Sequence, residues 1–155
     1  MEDRNEGRLR RRLVDVSRQL VASGLNRGTS GNAGVRLGEG LLVTPSGVPA
    51  DELSPEDMVA LDFSGQVHGN GRPSSEWRLH RDVLAARPDV HAVIHTHAPF
   101  AASLAGPGQD VPPFHYMIAV AGGRTIRCAA YALFGTQALS DQAVLALQAR
   151  KACLL

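Results

Sequence analysis

Turn-forming residues break this chain into short pieces, and that pattern restricts its fold more than any other feature. Only the first stretch escapes it. Over residues 2–23, Leu9, Leu13, Val16 and Leu20 recur at helical spacing, and Gly24 is a natural stop. Four glycines at 24, 28, 31 and 34, set among Asn and Ser, then mark a loop. Short strands are expected at Val35–Leu37 and Leu41–Thr44, with a turn at Pro45-Ser46-Gly47. Ser54-Pro55-Glu56-Asp57 reads as a capped helical turn. Val59–Phe63 and Gln66–His68 flank Ser64-Gly65 as a hairpin. A helix capped by Ser74 or Ser75 runs to about Arg87, where Pro88 ends it. A strand over Val90–His97, a short helix over 98–105, a strand over Arg124–Ala130 and a helix over Leu139–Lys151, with Val144 and Leu147 inward, complete the order. Cys153-Leu154-Leu155 would open one more strand. No regular βαβ alternation appears, so the expected class is α/β: a central, mostly antiparallel sheet with helices on its faces.

At 155 residues the chain has room for one domain and a substantial core. Net charge is +1, which gives no general pull on nucleic acid or anionic membrane; an anion must be held by a local site. Arg8, Arg10, Arg11 and Arg12 fall mostly on the polar face of the first helix, offset by Glu2, Asp3 and Glu6, and read as a solvated face. Cys128 and Cys153 have neither metal nor redox spacing, no apolar run approaches a membrane span, and no signal peptide is visible; a reduced, cytoplasmic protein is expected. The final Lys-Ala-Cys-Leu-Leu is apolar, without a polar tail, and reads as the start of an element cut short.

His95-Thr96-His97 carries the sharpest chemical signal. Residues i and i+2 of a strand share a face, roughly 6.6 Å apart, close enough for two imidazoles to converge on one metal. Two partly buried, hydrogen-bonded histidines are the plainer reading; the spacing favours the metal. Glu76 opens a helix, and alone it reads as a first-turn acid that suits the dipole, with general acid/base or ligand roles as the alternative. Ser74-Ser75, Gly28-Thr29-Ser30-Gly31-Asn32 and Ser46-Gly47 could each bring backbone N–H groups to a phosphate, and each is weak alone. Tyr116, read unaided, is a core or interface aromatic.

Taken in series, six stretches resemble the class II aldolase/adducin family. They are Gly24–Asn32, Thr44-Pro45-Ser46-Gly47, Pro73-Ser74-Ser75-Glu76-Trp77-Arg78, His95-Thr96-His97-Ala98, His115–Ala119 and Phe134-Gly135-Thr136. The resemblance implies the family's three-layer fold over residues 1–155 and a zinc-dependent retro-aldol cleavage of a ketose 1-phosphate. L-fuculose 1-phosphate, for instance, would give dihydroxyacetone phosphate and lactaldehyde. It implies metal ligation by His95, His97 and Glu76, with Glu76 also acting as acid/base. Phosphate binding falls to Gly31, Asn32, Ser46, Gly47, Ser74 and Ser75. Tyr116 would reach a neighbouring subunit's site in a homotetramer and protonate the departing aldehyde oxygen. The family's third zinc histidine follows the stretch at which this chain ends, so the chain is expected to lack it and the C-terminal portion around it. Ribulose-phosphate epimerases and methylthioribulose-phosphate dehydratases share the scaffold; Glu rather than Asp at position 76 favours an aldolase over an epimerase. A non-catalytic, adducin-like domain is the alternative from another class.

Overall fold

The computed structural model describes residues 2–155. Its elements are α1 (Glu2–Ala22), β1 (Asn32–Leu37), β2 (Gly40–Val43), a 3₁₀ turn (Pro55–Asp57), β3 (Val59–Asp62), β4 (Val67–His68), α2 (Trp77–Ala86), β5 (Ala92–His95), α3 (Pro99–Ala105), a second 3₁₀ segment (Tyr116–Ala121), β6 (Arg127–Cys128), α4 (Gln137–Ala146) and β7 (Cys153–Leu154). Five strands form one sheet in the order β4-β3-β2-β1-β5, antiparallel throughout. A small parallel pair, β6 and β7, stands apart from it. The expected α/β class with a mostly antiparallel sheet is what the chain adopts.

Strand parity sorts the core into two layers. Leu42 and Ala33 face α1, packing with Leu13, Val14, Leu53 and Met58. Leu41 and Val43 face the other way, with Val59, Leu61 and Leu84 of α2. β2 is therefore buried on both faces, which is why its sequence, Gly-Leu-Leu-Val, is apolar without alternation. α4 packs on α2 through Leu79, Val83 and Ala143. Ser140 adds a polar tie there, its one hydroxyl proton shared between the Asp82 carboxylate at 2.7 Å and the Arg78 carbonyl at 3.0 Å.

Several details depart from expectation. The strand drawn over Val90–His97 shrinks to Ala92–His95, because Val90 closes a turn onto Arg87 and Ala98-Pro99 opens α3. Arg124–Ala130 shrinks to Arg127–Cys128, the two residues that pair with Cys153 and Leu154. α2 begins at Trp77, so its N-cap is Glu76 and neither serine. On α1, Val14 is more deeply buried than Val16, and Arg10 is not solvated: it donates to the Met58 carbonyl at 2.6 Å and pairs with Glu6. Among the described residues no helix is long and apolar enough to cross a membrane.

Candidate active site

The β1–β5 ladder sets Asn32 opposite His95. Across from both lies the start of α2. The Ser74 hydroxyl accepts the Glu76 N–H at 3.2 Å, and Trp77 N–H closes onto the Ser74 carbonyl at 3.0 Å, fixing a tight entry to the helix. The Glu76 carboxylate caps nothing in its own helix. It turns inward, where the Asn32 side-chain amide donates to Oε2 at 2.8 Å. His97 lies beyond the strand, held by its backbone N–H, which donates to the Leu25 carbonyl and to Asn26 Oδ1, both at 3.1 Å.

These constraints bring three donors together. His95 Nε2 lies 3.1 Å from His97 Nε2 and 3.4 Å from Glu76 Oε2, and the three groups' ligand atoms fall within 4.8 Å of one another. Metal–ligand bonds of about 2.0–2.1 Å at tetrahedral angles separate donors by roughly 3.3 Å, so the spacing suits a zinc-sized cation. Ligation also requires unprotonated imidazoles. Burial pulls the His95 pKa down; the Glu76 carboxylate opposes that and His97 reinforces it. The donor set, two imidazoles and one carboxylate, fits a divalent metal.

The six residues expected to hold phosphate meet in one place. Gly31, Asn32, Ser46, Gly47, Ser74 and Ser75 line a cleft of about 180 Å³ together with Thr29, Ser30, Pro45, Glu76, His97 and Phe134. None of these is Lys or Arg, so an anion there would be held by hydroxyl and N–H donors and by a neighbouring cation. Gly31 adopts φ +75°, and a Cβ at that position would overlap the buried Asn26 side chain. A larger, mainly apolar groove of about 550 Å³ runs between β5, α3 and β7 and is also lined by His95 and His97. Tyr116 does not join the cleft within this chain. It is exposed, stacked on His115 with ring centroids 4.4 Å apart, beside a separate shallow concavity. His68 and His91 are also exposed and remote from the donor cluster.

Two residues of the site were not anticipated. Asn26 is buried and ties the glycine-rich loop to His97. His80 is fully buried, and its Nε2 meets Asn32 Oδ1 at 2.5 Å. Burial, with His95 nearby, pushes the His80 pKa down to about 3 against a backbone contribution from Val93. The available signal was its place four residues after Glu76, which puts both on one helical face.

The model of the class II aldolase and adducin N-terminal domain matches residues 11–155. This chain belongs to that family. Within it, the chain is 56% identical over 147 residues to a Rhodospirillum rubrum 5-methylthioribulose-1-phosphate/5-deoxyribulose-1-phosphate aldolase, covering 95% of this chain and 66% of the relative. It is 43% identical over 148 residues to an Escherichia coli L-fuculose phosphate aldolase, covering 96% and 69%. A solved L-fuculose 1-phosphate aldolase superposes with a TM-score of 0.90 at 39% identity, over 94% of this chain and 70% of that one. The chain thus spans about two thirds of the length of the family members it matches.

Proposed function

We propose that this chain carries the metal and phosphate sites of a class II aldolase that cleaves a 1-phosphorylated deoxyketose into dihydroxyacetone phosphate and an aldehyde. The observation that carries the reading is the convergence of Glu76, His95 and His97 beside a cleft lined by all six expected phosphate residues. Zinc is the cation we assign to the three donors, from their chemistry and spacing. Bound there, it would supply a Lewis acid for the negative charge left when the C3–C4 bond breaks. The chain's own residues do the rest. The cleft's hydroxyl and N–H donors bind the phosphate and fix the sugar, so binding energy remote from the bond serves orientation. Glu76 rests ionised and held by Asn32; once protonated by exchange with solvent it would deliver that proton to C3. Tyr116, exposed in this chain, would act in a neighbouring subunit's cleft within a homotetramer. Proton balance makes its phenol the donor to the aldehyde oxygen in the aldol direction and its phenolate the acceptor of the C4 hydroxyl proton in cleavage. The exposed Phe100, Phe114, Tyr131 and Phe134 suit such an assembly.

The R. rubrum relative and the E. coli relative are named for different sugars, and the higher identity to the first favours a 5-deoxyribulose-type substrate over L-fuculose 1-phosphate. The assay is release of dihydroxyacetone phosphate, read by NADH oxidation with glycerol-3-phosphate dehydrogenase. Triose phosphate is expected from 5-deoxyribulose 1-phosphate, more slowly from L-fuculose 1-phosphate, and not after chelation. Conversion of the sugar without triose phosphate would overturn the aldolase reading in favour of a dehydratase or an epimerase.

A further inference from the structure

His80 is the most deeply buried ionisable group in the α2 layer, and nothing in the proposed chemistry uses it. Its ring sits where β1 carries a glycine: a Cβ on Gly34 would come within 2.8 Å of His80 Nδ1 and 3.0 Å of Cγ. Space has therefore been made for an imidazole in a layer otherwise filled by Leu, Val and Ala. Nδ1 makes no hydrogen bond of good geometry, although the Val93 backbone on β5 lies close to the ring and would accept from a proton placed there. A buried, half-satisfied ring is a costly way to fill a core, and such a group calls for a reason.

Hydrogen-bond arithmetic supplies one. An ionised Glu76 can only accept, so Asn32 must turn its NH₂ toward Oε2. Its carbonyl oxygen then faces His80 Nε2, which must carry the ring proton. Turning the amide over would set two acceptor oxygens, those of Asn32 and Glu76, against each other. The unpaired Nδ1 is what remains when Nε2–H is committed to Asn32. We propose that His80 is a positioning residue for the metal site: its Nε2–H pins the Asn32 amide in the one orientation that holds the Glu76 carboxylate beside His95. The relay runs from the middle of α2, across β1, and back to the first residue before α2. Partners that orient a ligand in this way typically matter by about 10–100-fold in metal affinity.

The proposal rests on the metal-site reading above, and its test separates the two. In the metal-free chain at neutral pH, long-range ¹H–¹⁵N spectra should show His80 as the neutral Nε2–H tautomer and the Asn32 side-chain amide protected from exchange. An Nδ1–H tautomer overturns the proposal without any variant being made. His80→Phe should release the Asn32 amide and His80→Gln, which keeps a donor, should retain it; an unchanged Asn32 amide in His80→Phe overturns the proposal. In zinc titrations His80→Phe should weaken binding about tenfold and His80→Gln by under about threefold. On an Asn32→Ala background, His80→Phe should cost nothing further. A full additional loss there would mean that the ring acts by packing and not through Asn32. If the wild-type chain takes up no zinc, the metal reading fails, while the tautomer and the Asn32 amide still decide the relay.

Discussion

Replacing His80 by Gln should change how the fold responds to acid. In the folded chain the imidazole takes a proton only near pH 3, because it is wholly buried and near His95. In the unfolded chain it takes one near pH 6.5. Between those values the unfolded state binds one more proton, so stability is fully present above about pH 6.5 and falls as the pH drops. The slope is about 1.4 kcal/mol per pH unit, or about 2 kcal/mol lost by pH 5. His95 is depressed as well and adds to the wild-type slope with the same sign. Asp57, Asp62, Asp82 and Asp89 sit below their usual range, and their contributions are lost only at more acid pH. The difference between wild type and His80→Gln therefore isolates the one group. Urea unfolding with chelator present, at several values from pH 7.5 to 5, reads it. His80→Gln should be about 1–2 kcal/mol less stable at pH 7.5, and the gap should close by about 2 kcal/mol at pH 5. Parallel stability curves would refute the argument, because they would mean that His80 protonates alike in both states.

Two further outcomes follow from the site. Gly31→Ala must place a side chain at φ +75° against Asn26, and should cost roughly 1–3 kcal/mol in thermal unfolding while freeing the His97 backbone N–H to exchange. Tyr116→Phe should leave zinc uptake and the melting temperature unchanged, since the side chain is exposed and outside the cleft, yet lower turnover about 10²–10⁴-fold. An unaffected turnover would remove Tyr116 from the chemistry.

Local signals carried well wherever a residue's job is local. Gly24 ends α1 in the left-handed region, the Asp57 carboxylate accepts from both the N–H and hydroxyl of Ser54, and two imidazoles two residues apart reach one point although only the first lies in a strand. The phosphate cleft was legible only as a series: each of its three segments is an ordinary loop until β1, β2 and the entry to α2 bring them together. What stayed hidden was set by tertiary contact. Glu76 reads as a first-turn acid, and only Asn32, 44 residues away, draws its carboxylate inward. Nothing local to His80 marks it as part of the site, and only the missing side chain of Gly34 shows that its place is reserved. The strand drawn over 90–97 is trimmed by its own flanks, the turn of Val90 onto Arg87 and the opening of α3 at Pro99, whereas the extent of the strand drawn over 124–130 depends on its pairing with Cys153 and Leu154, which no local window contains.

The central claim is that Glu76, His95 and His97 hold one divalent cation. Zinc titration of the chain, with X-ray absorption at the zinc edge, tests it most directly. The account predicts stoichiometric binding with two imidazole nitrogens at about 2.0–2.1 Å and carboxylate oxygen in the remaining shell, and loss of the site in His95→Ala and in His97→Ala. Zinc bound without histidine nitrogen, or equally well in both variants, would contradict it.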